Sequence, residues 1–450
     1  MRVNEEGDVV DVEAATPGEV QAVDGKWLWL AVHDGAGWIA QECVVPVDQR
    51  GVVRVSEMIE HSLDSPTLYL VRGIIRTQIG ELDKAIDDFD EALKLDPRSA
   101  VIWKNRGIAW ISKSDNDKAL EDLDNAIRLN SNDAKSFYCR GVVWDDKSEL
   151  DRAFADYSEA IRLDPLFQYA YHNRGNILNL RGEYDLAIAD FNEAIRINPD
   201  DVMAFNNRGN SWIEKQDYDK AIEDYSAAIG LAPDLRDPHH NRGNVWYSKA
   251  EYDKAIADYS EAIQIDPNDA VSYENRGAAR SNMGEFNLAF EDLDMARHID
   301  PENAGRYQKR IAMVYASRAF RLKLSGEYEQ AIADYNEAIR LDPDSEEVCF
   351  RFARLLATCP DQHLRDGHKA VKLATKACAL SDWQNDSFIE TLSAAQATAG
   401  EYHLAIETIE RAIQLKPSWN KAAREEMLSL YRVGKPYILE TSDSANDDIR

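Results

Sequence analysis

Residues 168–201 read QYAYHNRGNILNLRGEYDLAIADFNEAIRINPDD, and this stretch decides the fold because its pattern recurs every 34 residues. Within it, Gly175 is followed by Ala187, Ala194 and a closing Pro199. The glycine of the pattern recurs at Gly73, Gly107, Gly141, Gly175, Gly209, Gly243 and Gly277. An eighth unit repeats the pattern after eight extra residues, 304–311.

Each unit predicts a hairpin of two antiparallel helices. Two amphipathic stretches of about a dozen residues are separated by a turn at residues 182–185. Small side chains at Gly175, Ala187 and Ala194 allow the two helix backbones to approach closely. Pro199 ends the second helix, because proline cannot continue a helix and disfavours helix in the residue before it. One hairpin cannot bury its apolar face alone, so the units are expected to stack into a solenoid.

With this pattern, the chain resembles the tetratricopeptide repeat (TPR) family. The spacing, the glycine, both alanines and the proline agree with the family over residues 66–345. The resemblance implies a mostly α-helical solenoid, a right-handed superhelix of helical hairpins whose first helices line a concave groove. It also implies a non-catalytic protein that binds partners along that groove and needs no cofactor.

The repeat pattern sets the expected domain boundaries. Residues 66–345 hold eight units, and residues 346–419 hold two degenerate units. Residues 50–65 are expected to form a capping helix and a linker. Residues 420–450 are expected to form a C-terminal helix and an acidic tail, and residues 1–49 a separate β domain.

An arginine and an aspartate recur together with the repeat. When each unit is counted from its first residue (66, 100, 134, 168, 202, 236, 270 or 312), position 7 is arginine and position 23 is aspartate in all eight. We expect each arginine to pair with an aspartate on a second helix, within its unit or in a neighbouring one. The alternative is that both charges are independent and solvated. The central candidates for structural ion pairs are Arg174, Asp190, Arg208, Asp224, Arg242 and Asp258.

Asparagines occupy positions 6 and 9, which face the groove in the TPR family. The candidate peptide contacts are Asn105, Asn173, Asn176, Asn207, Asn210, Asn241, Asn244 and Asn275. An amide offers both donors and an acceptor, so a row of amides can bond the backbone of an extended peptide without reading its side chains. The alternative is that these asparagines are default residues of the family.

Aromatic and acidic neighbours of the asparagines would supply specificity. The aromatic and amphipathic candidates are Tyr138, Tyr169, His172, His240 and Tyr247. Negative charge would come from Asp145, Asp146, Glu214, Asp237 and Glu274. We therefore expect a protein or peptide partner that is neutral to basic. The carboxylate clamp of some TPR co-chaperones is not expected, because His172, Asn206 and His240 stand where that clamp needs lysine.

Residues 1–49 carry the short β-type runs of a different module. Asp24-Gly25 lies between two of these runs and is a hairpin signal. The WLW at 27–29 and the GWI at 37–39 resemble bacterial SH3-like barrels, which implies a small N-terminal β-barrel in a bacterial protein. The module looks short at its start, which leaves an upstream strand or signal peptide open. Otherwise a cytoplasmic location is expected.

The composition argues against several functional classes. The 450 residues include 52 basic and 81 acidic ones, for a net charge of −29, which disfavours nucleic acid and anionic membranes as partners. No apolar run is long enough to span a membrane. The five cysteines and nine histidines lack metal-ligand spacing, and the thiols are expected to be buried. The tryptophans at position 11 are also expected in the core. No catalytic motif is present, so no enzymatic activity is expected.

These observations leave three functional hypotheses. The leading one is a non-catalytic scaffold or adaptor that binds an extended peptide segment in the groove. The second is a regulatory or targeting subunit of an enzyme, docked through its convex face or its β domain. The third is an envelope-associated module that uses the SH3-like domain. The sequence predicts neither the partner's identity nor an oligomeric state.

Overall fold

The computed structural model describes residues 2–3, 9–11, 20–23, 27–32, 41–61, 63–416 and 420–438, with side chains from Val47 onward. The chain divides into two compact units, Met1–Asp217 and Tyr218–Arg450. The two units are described separately below.

The first unit begins with short strands. The strands are β1 (Arg2–Val3), β2 (Val9–Asp11), β3 (Val20–Val23), β4 (Trp27–Val32) and β5 (Gln41–Pro46). β1 pairs with β2, while β4 lies between β3 and β5 in an antiparallel sheet. The predicted GWI run at 37–39 lies outside the described residues. Among the described strands no pairing joins the two sheets, so the SH3-like barrel stays a prediction.

Helices follow the strands in the first unit. They are α1 (Gln49–His61), α2 (Pro66–Gln78), α3 (Leu82–Leu95), α4 (Ala100–Ser112), α5 (Asn116–Leu129), α6 (Ala134–Asp146), α7 (Leu150–Leu163), α8 (Gln168–Leu180), α9 (Tyr184–Ile197) and α10 (Val202–Glu214). From α2 onward, even-numbered helices are the first helices of the repeats and odd-numbered helices are the second helices. In this unit α2, α4, α6 and α8 each pack against the second helix that follows them.

The second unit continues the same alternation. Its helices are α11 (Tyr218–Leu231), α12 (Arg236–Ser248), α13 (Tyr252–Ile265), α14 (Ala270–Met283), α15 (Phe286–Ile299), α16 (Ala304–Leu324), α17 (Tyr328–Leu341), α18 (Glu346–Thr358), α19 (Gly367–Leu380), α20 (Asp386–Thr398), α21 (Tyr402–Leu415) and α22 (Lys421–Arg432). Short 3-10 turns lie at Pro301–Asn303 and Gln362–Leu364. The described part of the chain is thus a mostly helical TPR-type solenoid, as the repeat predicts.

In several repeats an aromatic ring on the second helix lies opposite the recurring glycine. A Cβ atom at Gly141 would lie 2.7 Å from a ring carbon of Tyr157, and one at Gly243 would lie 2.8 Å from Tyr259. Tyr157 is fully buried. These close approaches explain why glycine is paired with an aromatic 16 residues later in these repeats, while the eighth repeat has Ala319 opposite Tyr335.

α1 takes the place of a second helix that has no first helix before it. Its span corresponds to that of α3 shifted by one 34-residue repeat. Its apolar face, formed by Val52, Val55 and Ile59, is buried against α2. The Ser56 hydroxyl accepts a hydrogen bond from Arg72 Nη1 at 3.0 Å. α1 therefore covers the apolar side of the first complete repeat.

The eight extra residues 304–311 extend a helix rather than forming a loop. α16 begins at Ala304 and has 21 residues, so the insertion adds about two turns to the first helix of its repeat. Tyr307 and Ile311 on the added turns are buried. Arg306 and Arg310 on the same turns contact Glu274 of α14.

α22 closes the other end of the described helices. Arg424 is only 1% exposed and donates to Asp386 Oδ2 at 2.6 Å and to Glu390 Oε2 at 2.7 Å. Met427 and Tyr431 are buried on the same helix. The last hairpin is thereby covered by a helix with a polar outer side.

Candidate functional site

The arginine at position 7 holds each hairpin together. Arg174 donates from Nε and Nη2 to the two carboxylate oxygens of Asp190, both at 2.8 Å, and Arg242 binds Asp258 in the same way at 2.8 and 2.7 Å. The same bidentate pairing within a repeat is seen for Arg72–Asp88, Arg106–Asp122, Arg140–Asp156, Arg276–Asp292 and Arg318–Asp334. These aspartates are buried.

The same arginines also reach the preceding repeat. Their Nη1 atoms donate to position 25 of that repeat, as from Arg174 to Ser158 at 3.2 Å and from Arg242 to Ser226 at 2.9 Å. Arg208 donates to Asn192 at 2.5 Å, and its pairing with the buried Asp224 stays a prediction. One guanidinium therefore links two hairpins. The partner at position 25 was not predicted, although a short polar residue recurs there in the sequence.

We define the first-helix face as the surface formed by positions 2, 5, 6, 9, 12 and 13 of the first helices. First helices of successive repeats contact each other directly, as α4 does with α6 in the first unit and α12 with α14 in the second. All of the predicted groove residues lie on first helices. The face is described separately in each unit.

Several predicted asparagines bond to each other across neighbouring first helices. Asn207 Nδ2 donates to Asn176 Oδ1 at 2.9 Å, and Asn275 Nδ2 donates to Asn244 Oδ1 at 3.0 Å. The Tyr259 hydroxyl also donates to Asn244 Oδ1, at 2.8 Å. The Asn207–Asn176 and Asn275–Asn244 bonds each join position 6 of one repeat to position 9 of the preceding repeat, and we call each such pair an asparagine rung. The repeat pattern predicts the positions of these asparagines but not their mutual pairing, which depends on the distance between neighbouring hairpins.

The other predicted asparagines have different surroundings. Asn105 Nδ2 donates to the Val101 carbonyl of its own helix at 2.7 Å. Asn173 Nδ2 lies 3.3 Å from the Tyr157 hydroxyl and 3.5 Å from the Tyr138 hydroxyl. Asn210 is exposed and Asn241 is half-buried. Their role as peptide contacts stays a prediction.

The two predicted histidines are tied into polar networks. His172 Nδ1 lies 3.6 Å from Asp201 Oδ2, and its Nε2 lies 3.4 Å from Asn207 Nδ2. His240 Nδ1 lies 2.6 Å from Ser272 Oγ, which donates to Asp269 Oδ2. Burial lowers the pKa of His240, with the Asp269 carboxylate opposing that shift. His240 is therefore neutral at pH 7.

The predicted tyrosines differ in exposure. Tyr169 is 60% exposed, whereas Tyr138 and Tyr247 are half-buried. The Tyr247 hydroxyl accepts from Asn282 Nδ2 at 3.1 Å, and its ring meets Tyr252 edge-on at 5.5 Å between centroids. Tyr169 is thus the tyrosine of this group that presents most of its ring to solvent.

The prediction for one of the groove's negative charges was wrong. Glu274 was expected to add negative charge to the groove, but it is 1% exposed. Arg306 Nη2 lies 2.7 Å from its Oε2, and Arg310 Nε lies 2.8 Å from its Oε1. Both arginines belong to the two added turns of α16. The spacing of Tyr307 and Ile311, one helical turn apart, was the sequence signal for this helix extension.

The tryptophans at position 11 are half-buried rather than central to the core. The Lys118 ammonium lies 4.1 Å from the Trp110 ring centroid, and the Lys254 ammonium lies 4.3 Å from that of Trp246. Each lysine comes from the second helix of the same hairpin. Cation–π packing therefore occupies one ring face, which the apolar pattern alone did not indicate.

The described residues offer little for metal or thiol chemistry. No group of three or more histidine, cysteine or carboxylate residues that could hold a metal ion occurs among them. Cys139, Cys349, Cys359 and Cys378 are buried and unpaired. Burial raises the pKa of the Cys139 and Cys378 thiols to about 11, so neither is a thiolate at neutral pH. Within the described residues, no helix is both long and apolar enough to cross a membrane.

Comparison with known families identifies the repeats. Models described as tetratricopeptide repeat match residues 70–134 and 106–166, and residues 169–201 and 202–235. A model described as TPR repeat matches residues 243–284 and 321–351. Together these matches cover more than half of the chain. No curated protein matches it.

Solved structures of other repeat proteins resemble parts of the chain. YrrB, described as a TPR protein with an unusual peptide-binding site, is 24% identical over 41% of this chain and 96% of its own, with a TM-score of 0.36. PilF of Pseudomonas aeruginosa is 18% identical over 45% of this chain and 92% of its own, with a TM-score of 0.41. A tetratricopeptide repeat protein of Parabacteroides merdae is 19% identical over 58% of this chain and 98% of its own, with a TM-score of 0.41.

Proposed function

Because the chain belongs to the tetratricopeptide repeat family, whose fold is typical of protein–protein interaction scaffolds, we propose that it binds an extended segment of a partner protein along its first-helix face. The proposal involves no catalytic step. It does not depend on the SH3-like barrel, which stays a prediction for residues 1–49.

The observation that carries the proposal is a stripe of exposed apolar side chains at position 2 of the first helices. In the first unit these are Val101, Tyr169 and Met203, and in the second unit they are Val271 and Met313. Single exposed apolar residues are common, but these five recur at one repeat position, in a row that Lys135 and Asp237 interrupt. A partner that covers this row would remove apolar surface from water.

The asparagine rungs support a partner in extended conformation. Asn244 Oδ1 already accepts two hydrogen bonds, and the Asn244 amide group still carries two N–H donors. In the equivalent pair of the first unit, Asn207 Nδ2 bonds to Asn176 Oδ1 and lies 3.4 Å from His172 Nε2. Amides that are fixed by their neighbours can bond a peptide backbone with little loss of side-chain entropy.

The proposal is tested with peptides selected for binding. Random peptides displayed on phage are selected against the intact chain, and the affinity of the best one is measured by fluorescence anisotropy. We expect Tyr169→Ala combined with Met203→Ala to weaken binding roughly tenfold, since the loss of buried apolar contact is worth about 1–2 kcal/mol.

The matched control is Leu186→Ala. Leu186 is 56% exposed, close to the 60% of Tyr169, but it lies on α9, a second helix. We expect this variant to bind the peptide as the wild type does. Equal weakening by both changes, or weakening by Leu186→Ala alone, would place the binding site elsewhere.

A further inference from the structure

The connection between α7 and α8 ends in two apolar residues, Leu166 and Phe167. In the first unit, α10 is preceded by its N-cap residue Asp201, whose side chain accepts from the Ala204 amide at 3.0 Å. At α8 the corresponding residue is Phe167, which makes no side-chain cap, and Leu166 before it is 63% exposed. An apolar residue is unfavourable at the N-cap position, because a polar side chain there would stabilise the helix by about 1 kcal/mol. The chain therefore places apolar groups at the edge of the first-helix face at the expense of a cap.

Three aromatic rings converge at this edge. The Phe167 and Tyr138 centroids lie 4.9 Å apart, and Tyr169 lies 6.3 Å from Tyr138 and 6.4 Å from Phe167. The planes of Phe167 and Tyr169 are nearly perpendicular, at 89°. Because Tyr169 is mostly exposed, the three rings form an aromatic wall that is open to solvent.

A polar floor adjoins the aromatic wall. Asn173 Nδ2 lies near the hydroxyls of both Tyr138 and Tyr157, and the Asp145 carboxylate lies close to Tyr157. Burial, followed by the charge of Asp146, raises the pKa of Asp145. Among the described residues, no lysine or arginine pairs with either carboxylate. Lys147, two residues after Asp145, is engaged with Asp117 at 2.9 Å.

We propose that Tyr138, Phe167, Tyr169 and Asp145 form a subsite that accepts a lysine or arginine side chain of the partner segment. The aromatic faces would hold the alkyl stem and attract the cation, and Asp145 would supply the opposite charge. The proposal rests on the proposed function, since it names the side chain that a peptide on the first-helix face presents at the repeats of α6 and α8. The net charge of −29 favours such a partner as well.

An apolar anchor is the competing occupant of this subsite. It would fit the rings, but it would remove water from the carboxylate of Asp145 without supplying a partner for that charge, which is unfavourable. A basic side chain satisfies the rings and the carboxylate together. The charge complementarity therefore favours lysine or arginine.

The test uses a peptide library in which one position is fixed as Lys, Arg, Gln, Leu or Glu, with the other positions random. For the intact wild-type chain we expect retention of the Lys and Arg pools. For the best binder, replacing that residue by Gln should weaken the affinity roughly tenfold. This difference should shrink to less than about twofold in Asp145→Asn and in Tyr169→Ala.

The control variant is Asp253→Asn, which removes one exposed carboxylate from α13 and changes the net charge equally. We expect it to keep the full preference for Lys and Arg. Preference for the Leu pool, or a basic preference that survives in Asp145→Asn and Tyr169→Ala, would overturn the subsite while leaving the proposed function standing. Failure of the wild type to retain any pool would overturn both, and circular dichroism of each variant establishes that it is folded.

Discussion

Glycine at position 8 shows how a single residue sets the geometry of a hairpin. The recurring glycine is visible in the sequence. The structure shows that, in several repeats, an aromatic ring of the second helix fills the space where a side chain at that glycine would lie. What the sequence could not supply is the side-chain partner of each groove asparagine, because the rungs depend on the distance between successive hairpins. Periodicity fixes a residue's face, whereas contacts across repeats require the packed structure.

The glycine crossing predicts opposite effects for two glycine substitutions. Gly243→Ala should lower the free energy of unfolding by about 1–3 kcal/mol, because the added Cβ would lie 2.8 Å from the Tyr259 ring. Gly230→Ala should raise it by about 0.5–1 kcal/mol, since nothing lies within 4 Å of its Cβ position in helix α11. Urea unfolding monitored by circular dichroism compares the two variants. Equal effects would contradict the packing described here.

The ion pairs between the arginine at position 7 and the aspartate at position 23 predict a coupling in the free energy of unfolding that exposed surface pairs lack. Arg242→Ala or Asp258→Ala alone should cost roughly 3–5 kcal/mol, since each leaves a largely buried partner uncompensated, and the double variant should cost much less than the sum. The exposed pair of Lys249 and Asp219, 2.7 Å apart, serves as the control, with coupling below about 1 kcal/mol. Additive effects in the Arg242–Asp258 cycle would show that the two charges act independently.

At the scale of elements, the hydrophobic periodicity and the prolines that end the second helices predicted the hairpins from residue 66 to 345. The ends of the array were harder to predict. The eight extra residues before the last complete repeat were recognised as an insertion, but their continuation into α16 was missed, and with it the burial of Glu274 under Arg306 and Arg310. The burial of Arg424 could not be predicted either, because its carboxylate partners lie 34 and 38 residues earlier on another helix.

The docking of α22 predicts a stability difference that depends on pH. Burial tends to raise the pKa of Asp386, but hydrogen bonds from Lys416 and Arg424 outweigh it and hold that pKa below its ordinary value. A carboxylate whose pKa is lowered by folding contributes stability above its unfolded pKa of about 3.9 and loses it as the pH falls. Arg424→Met should therefore cost roughly 3–5 kcal/mol at pH 7 and less at pH 3.

Arg432→Met is the control on the same helix. Its guanidinium is 61% exposed and lies 3.9 Å from Glu410, so the loss should be below about 1 kcal/mol at either pH. Hydrogen exchange of α22, read at pH 7 and corrected for intrinsic rates at lower pH, measures the local opening. An Arg424→Met effect that is as small as that of Arg432→Met would contradict the proposed role of Arg424 in docking α22.

At the scale of the whole molecule, the net charge and the ion pairs of the repeats together determine how much negative charge is left for a partner. The charge of −29 is distributed over an array in which many basic residues are already paired within and between hairpins. The remaining negative charge would speed the approach of a basic partner, an effect that salt should weaken. The sequence predicted this general preference, while the burial of Glu274 under the added turns of α16 emerged only from the structure.

The most direct test of the central claim is site-specific photocrosslinking of the selected peptide to the intact chain. A benzophenone amino acid is placed at Met203 on the first-helix face or at Leu186 on α9, and crosslinked products are read by mass spectrometry. The account predicts peptide adducts from position 203, lost on competition with unlabelled peptide, and none from position 186. Adducts from position 186 without adducts from position 203 would contradict it.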